Sequence, residues 1–239
     1  MFELAPGSGG WSEAILHRFQ PSYYGHPAPG GSNPYAGLIL DRSGNLYGTT
    51  ANGGANCSGW SCGVVYELAR TSGGGWKETV LHRFRNDGKD GVRPGWGALF
   101  MNGPGSLYGT TSQGGTNICY AGCGTVFKLT KSAKSRWKET ILYDFKSGPT
   151  GFSPNAGVVM DKAGALYGTT DYGGYGDCGV IYKLAPKPKG KWQYTVLHIF
   201  NGYDGCVPEG NLVLDKKGNL YGGTVLGGGG YGVVFELTP

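Results

Sequence analysis

An all-β chain, folded as a four-bladed β-propeller with four antiparallel strands per blade, follows from three features of the sequence. The first is repetition. Leu-Tyr-Gly words set Tyr47, Tyr108, Tyr167 and Tyr221 in register, and Trp words that begin at Trp11, Trp76, Trp137 and Trp192 run to Phe19, Phe84, Phe145 and Phe200. The second is alternation inside the words, with Trp76, Glu78, Val80, His82 and Phe84 opposing Lys77, Thr79, Leu81 and Arg83, which is the two-residue period of a strand. The third is glycine, 48 of 239 residues, gathered between the words where turns need positive φ or close backbone approach. Long repeats made only of strands and turns stack radially or as a solenoid, and four-stranded antiparallel units around an axis make a propeller.

In the first complete copy the strands are expected over 35–41, 45–50, 63–69 and 76–84. The turn Asp41-Arg42-Ser43-Gly44-Asn45 recurs at Asp161 and at Asp215, and short Gly-bearing turns of this kind make hairpins. The aspartates are expected to cap backbone N–H groups there. The second copy departs, with Asn102-Gly103-Pro104-Gly105. The whole chain, 1–239, reads as one propeller domain with blades over about 34–84, 93–145, 153–200 and 207–239. The last blade lacks its fourth strand, and the first Trp word, 11–19, is expected to join it and close the ring, which removes open sheet edges. Residues 1–5 repeat the word at 233–237 and compete for the same strand position.

Strand polarity gathers the long connections on one face. With the strands after Pro34, Pro94, Pro154 and Pro208 innermost, the lead-in loops and the loops after Thr-Thr share that face, together with all six cysteines. Gly37, Gly97, Gly157 and Gly210 suit a narrow axis. This long-loop face is the candidate for function.

Bulk composition excludes several classes. Hydrophobic content of 39% supports a core, and no apolar run reaches transmembrane length. The net charge of +5 is spread as isolated Lys and Arg; the run Lys187-Pro188-Lys189-Gly190-Lys191 reads as a solvated hairpin turn, so no nucleic-acid partner is expected. The N-terminus has no signal-peptide pattern, and its start in mid-repeat is expected of a mature fragment of a longer precursor or a chain whose leader was removed. A monomer is expected. Six loop cysteines read as disulfides Cys57–Cys62, Cys119–Cys123 and Cys178–Cys206, which implies an oxidising, secreted or periplasmic setting. The short Cys spacings have no neighbouring His, which argues against zinc on the cysteines.

The word series Asp-x-x-Gly-Asn-Leu-Tyr-Gly-Thr-Thr, then Gly-Val-Val-Phe-Glu-Leu, then Trp-x-x-Thr-x-Leu-x-x-Phe resembles the GloVer tandem repeat of bacterial exported proteins. Leu-Tyr-Gly-Thr-Thr stands intact at 46–50, 107–111 and 166–170 and as Leu220-Tyr221-Gly222-Gly223-Thr224. The resemblance covers nearly all of the chain. It implies an extracellular propeller-like array and no established activity, so no catalytic residue is carried over.

No Gly-x-Ser-x-Gly elbow, His-Glu-x-x-His or P-loop is present. His17, His82 and His198 share one repeat position with Tyr143, which reads as packing, whereas His26 lies on the long-loop face as a candidate base or ligand. Carboxylates on that face are Asp87, Asp90, Asp171, Asp177, Asp204 and Glu209; among them Asp171, Asp177 and Glu209 are the candidates for acid–base work on a glycosidic bond. Exposed aromatics beside Asn, Asp and Gly suit sugar rings. Tyr35, Trp96, Asn155 and Glu209 follow the inner-strand prolines and are expected to ring the axial mouth; Trp60 and Tyr120, inside small cysteine loops that cannot bury them, and Tyr172 are further ligand-contact candidates on the long-loop face. The favoured expectation is a non-catalytic extracellular propeller that binds a glycan or cell-surface ligand. A secreted carbohydrate-active hydrolase or lyase is the alternative, and a structural or anchoring array is the third reading. No cofactor is expected beyond an axial ion held by inner-strand carbonyls.

Overall fold

A computed structural model describes residues 1–22, 28–54, 56–57, 60–94, 96–117, 119, 122–134 and 136–238, with the side chains of 56, 57, 60 and 61 set aside. The chain opens with a hairpin of β1 (Phe2–Gly7) and β2 (Gly10–Ile15). The first complete blade has β3 (Ile39–Leu40), β4 (Leu46–Thr50), β7 (Val64–Arg70) and β8 (Trp76–Arg83), with β5 (Asn56–Cys57) and β6 (Trp60–Ser61) paired in the loop after β4. Next comes β9 (Gly91–Val92), then the second blade of β10 (Phe100–Met101), β11 (Ser106–Thr111), β13 (Thr125–Lys131) and β14 (Trp137–Asp144), with β12 (Gln113–Gly114) pairing back to β9. The third blade is β15 (Val159–Met160), β16 (Leu166–Thr170), β17 (Val180–Pro186) and β18 (Trp192–Ile199). The fourth holds β19 (Val213–Leu214), β20 (Leu220–Gly223) and β21 (Val234–Leu237). All four sheets are antiparallel with strands in chain order, and the blades are arranged as a four-bladed β-propeller. One 3-10 turn, Pro188–Gly190, shapes the Lys-rich hairpin expected between β17 and β18.

The repeated words have separate jobs within each blade. Asp41 Oδ1 accepts the amides of Ser43 and Asn45 at 2.8 and 2.9 Å, and Asp161 and Asp215 cap their own turns in the same way. The second carboxylate oxygen of Asp41 also accepts the Tyr47 hydroxyl, so the turn is tied to the Leu-Tyr-Gly strand. Desolvation raises the Asp41 carboxyl, but the hydrogen bonds from Asn45, Ser43 and Tyr47 outweigh it and hold the group below its ordinary range. In the second Thr of Leu-Tyr-Gly-Thr-Thr the hydroxyl closes the loop mouth: Thr50 Oγ1 donates to the Asn52 carbonyl and accepts the Val64 amide, and Thr170 and Thr224 repeat both bonds.

The glycine of that word is a steric requirement. A Cβ on Gly48 would lie 2.4 Å from Tyr66 Oη, and on Gly109, Gly168 and Gly222 at 2.5–2.6 Å from Phe127, Tyr182 and Phe235. Each third strand therefore lays its aromatic ring across the bare backbone of the second. The ring then meets the Phe that ends the preceding Trp word: Phe19–Tyr66, Phe84–Phe127, Phe145–Tyr182 and Phe200–Phe235 have centroids 5.1–5.3 Å apart. A register shift in each complete blade, between Val65/Tyr66, Val126/Phe127 and Ile181/Tyr182, sits beside this ring. Around it, buried clusters bridge consecutive blades, such as Tyr47, Val65 and Phe84 against Leu107, Phe127 and Leu129.

The ring-closing pair expected from the sequence is not made. β2 pairs with β1 (Phe2↔Ile15 to Gly7↔Gly10), and the last sheet stays three-stranded, β19-β20-β21. The N-terminal copy of the word at 233–237 is joined to the Trp word by a two-residue turn, so it pairs first; closing that short loop loses far less chain entropy than recruiting a strand from the far end. Just after the hairpin, Leu16 and Phe19 pack on the first complete blade. The faces that such closure would have covered are bare: Trp11 is 71% exposed and Val234 90%. The narrow-axis expectation holds at two of four glycines. A Cβ on Gly97 would meet the Gly157 amide at 2.0 Å and one on Gly157 would meet the Ala98 carbonyl at 2.2 Å, whereas Gly37 has only Ala98 Cβ at 3.8 Å and Gly210 nothing within 4 Å.

Gly168→Ala should lower unfolding stability by about 1–3 kcal/mol, because buried Tyr182 has nowhere to move. Gly73→Ala, in an open turn with nothing within 4 Å, should leave it unchanged. Urea unfolding of the two variants measures the difference, and equal midpoints would contradict the steric reading.

Candidate functional site

The lead-in loops and the loops after Thr-Thr meet on one face. Ser32 bridges Asn52, β9 pairs with β12, Phe152 bridges Tyr172 and Cys206 bridges Leu226, one antiparallel contact in each blade. The residue before each inner-strand proline fixes this arrangement. Asn33, Arg93, Ser153 and Val207 all have φ of 55–61°, the left-handed region that side chains other than Gly and Asn rarely adopt. The conformation is over-determined by two hydrogen bonds. Arg93, Ser153 and Val207 donate their amides to the carbonyls of Cys62, Cys123 and Cys178 in the preceding blade, and all four carbonyls accept the amide just after Thr-Thr.

Two disulfides brace the same region. Cys119–Cys123 closes a loop within the second blade, and Cys178–Cys206 joins the third blade to the lead-in loop of the fourth. Cys62 is also disulfide-bonded. The side chain of its expected partner Cys57, like that of Trp60, and residues Tyr23, Tyr24, His26 and Tyr120 lie outside the described set.

At the inner end of this face Tyr35 stacks on Trp96 from the next blade, with centroids 4.8 Å apart and planes inclined by 19°. Both keep about half of their surface in solvent, at 54% and 52%. Asn33 Nδ2 donates to Tyr35 Oη at 3.1 Å and sets that ring's position. In the third blade Asn155 Nδ2 donates to Asp171 Oδ2, and Asp171 Oδ1 is buried without a partner among the described residues. Burial first, then the charge of Glu209, pushes the Asp171 carboxyl up to about 7, against the hydrogen bond from Asn155. Tyr172 stacks on Phe152 at 5.6 Å and is 42% exposed.

Thus Asp171, Asn155 and Glu209 form one polar cluster, and Tyr35 with Trp96 forms an aromatic pair. Asp177 does not join them: its Oδ1 accepts the Gly173 amide at 2.7 Å and shapes the loop. Asp87 is likewise occupied by the amides of Lys89 and Asp90. Asp204 binds His198 Nε2 at 3.0 Å, away from the axial mouth.

The outer strands hold a second cluster, which the repeat reading treated as packing. His82, at the end of β8, lies with Nε2 3.3 Å from Asp90 Oδ2 and 3.5 Å from Glu139 Oε2 of the neighbouring blade. Burial, and then the charge of Asp90, raises the Glu139 carboxyl well above its ordinary range. At the preceding interface His17 faces Glu78 at 3.6 Å, with Gly30 in the place of Asp90, and a cavity of about 310 Å³ opens beside them. The missed signal was spacing: His82, Asp90 and Glu139 become neighbours only when one blade's outer strand lies against the next.

These features define a disulfide-braced β-propeller of exported type, and its disulfides point to an extracellular or periplasmic protein. No helix is long and apolar enough to cross a membrane among the described residues. The chain belongs to the Gloeobacter/Verrucomicrobia repeat family, whose model matches residues 1–235. Among curated proteins none matches. Among solved structures it is similar to an unknown function protein from Dyadobacter fermentans DSM 18053, at 15% identity and a TM-score of 0.49, with 95% of this chain covered. The chain spans 65% of the length of that protein's chain.

Because the folded pKa of Asp171 lies above its unfolded value, the native state holds a proton that the unfolded chain has lost between about pH 4 and about pH 7. Unfolding free energy contributed by this group therefore falls as pH rises through that window. Asp171→Asn should flatten the decline in urea midpoints between about pH 4 and about pH 7, and an unaltered slope would show that Asp171 titrates normally.

Proposed function

We propose that the chain is a secreted binding propeller that takes a glycan on its long-loop face. The observation that carries this reading is the Tyr35–Trp96 pair: two half-exposed, stacked rings from adjacent blades, with the Asn33 side-chain amide donating to the Tyr35 hydroxyl. A flat apolar surface bordered by hydrogen-bonding side chains is what a sugar ring requires. Asn155 and Glu209 supply the polar border, and Tyr172 extends the aromatic surface in the third blade.

A second reading, a carbohydrate-active hydrolase or lyase, draws on one observation. Asp171 holds its proton near neutral pH beside Glu209, the condition for a general acid working with a neighbouring carboxylate. Its 3% exposure weighs against that role, since substrate must reach the proton. The binding reading needs no such access.

Calorimetric titration with a panel of plant and bacterial cell-wall oligosaccharides tests the proposal. Binding to at least one, weakened by about 2 kcal/mol in Trp96→Ala with an unchanged melting temperature, is the expected result. Absence of binding across the panel overturns it, and product release abolished by Asp171→Asn supports the hydrolase or lyase instead.

A further inference from the structure

We propose that His82, Asp90 and Glu139 form a divalent-cation site, suited to Zn²⁺, at the junction of the first and second complete blades. Nε2 of His82 lies 3.3 Å from Asp90 Oδ2 and 3.5 Å from Glu139 Oε2, and the three ligand atoms all fall within 4.8 Å of one another. Bonds of about 2.0–2.1 Å to a tetrahedral zinc ion put neighbouring ligand atoms about 3.3–3.4 Å apart. The two distances from the imidazole thus match two edges of such a site, the carboxylate-to-carboxylate edge falls within 4.8 Å, and the fourth corner is left to water.

The hydrogen-bond inventory supports a missing central partner. His82 Nε2, Asp90 Oδ1 and Glu139 Oε1 are buried with no hydrogen-bond partner among the described residues. The Asp90 side chain is nine-tenths buried, and its Oδ2 is oriented by the Arg85 amide at 3.0 Å, the kind of outer bond that holds a ligating carboxylate in place. Two carboxylates and a neutral imidazole balance the charge of a dication. Without one, two carboxylates share a buried site in which three polar atoms have no hydrogen-bond partner among the described residues.

The repeat supplies internal controls. The same three positions are His17, Gly30 and Glu78 at the preceding junction, which lacks one carboxylate. They are Tyr143, Thr150 and Tyr194 at the following one, where the two tyrosine rings stack at 4.2 Å and leave no ligand set. At the last junction His198 and Asp204 stand 3.0 Å apart, and the fourth blade has no described strand to bring a third ligand. One junction of the described four therefore carries the complete set. Nitrogen plus carboxylate oxygen favours Zn²⁺ over Ca²⁺, which takes six or more oxygen ligands.

The test uses the full chain, stripped with a chelator and then titrated with zinc chloride by calorimetry. One equivalent should bind and raise the melting temperature, and calcium chloride should do neither. Glu139→Gln and His82→Tyr should each weaken zinc binding by at least the roughly 10- to 100-fold that loss of an outer-shell partner brings. His82→Tyr copies the residue that the following junction already accommodates, so a folded variant is expected. His17→Ala should bind zinc as the parent does. X-ray absorption should show nitrogen and oxygen ligands without sulfur. No binding by the folded parent, calcium in preference to zinc, sulfur ligation, or unchanged affinity in both ligand variants would each overturn the assignment.

Discussion

One contact repeats at every junction and the rest of the structure depends on it. The Phe that ends a Trp word meets the aromatic ring of the next blade's third strand, which lies across the glycine of Leu-Tyr-Gly. Phe84, Phe127, Phe145 and Tyr182 are fully buried, so the two junctions between complete blades are sealed by rings with no room for an added carbon. Edge-to-face packing fixes orientation as well as area, so one blade sets the angle of the next. Remove the bare backbone beneath the ring and the aromatic loses its seat.

Placement of the long-loop face follows from that stacking. Once blades are set at a constant angle, their lead-in loops come to the same end of the molecule. There the left-handed residues before Pro34, Pro94, Pro154 and Pro208 tie each loop to its own second strand, and from the second complete blade onward to the preceding blade as well. The strain at Val207, a β-branched residue at φ 55°, is carried beside the Cys178–Cys206 disulfide that holds the same loop covalently. At the axial end Tyr35 and Trp96 stack on one another with about half of each ring in solvent. At the outer end, the same stacking presses His82 against two carboxylates of the next blade, Asp90 in its lead-in loop and Glu139 in its outer strand.

Departures from the expected pattern have local causes. The first Trp word stayed with residues 1–7 because a tight hairpin turn makes them its nearest partner, and this left the apolar faces at Trp11 and Val234 uncovered. Asp177 and Asp204, read as free loop carboxylates, instead accept hydrogen bonds that shape their loops or pair with His198. In a segment rich in glycine, an Asx turn and a catalytic carboxylate have the same appearance in the sequence; only the path of the neighbouring amides separates them.

By itself the sequence determined the number of blades, the strand order of the three complete blades, the turns capped by Asp41, Asp161 and Asp215, and the gathering of long loops at one end. All of these rest on local patterns of two to ten residues repeated in register, and local patterns are written in order along the chain. Tertiary structure decided which strand β2 would pair with, which glycines touch across the axis, and that Asp171 is buried beside Glu209. It also decided that His82, Asp90 and Glu139 meet. Each of these depends on the angle between blades, and that angle is set by ring-to-ring packing across residues far apart in the chain.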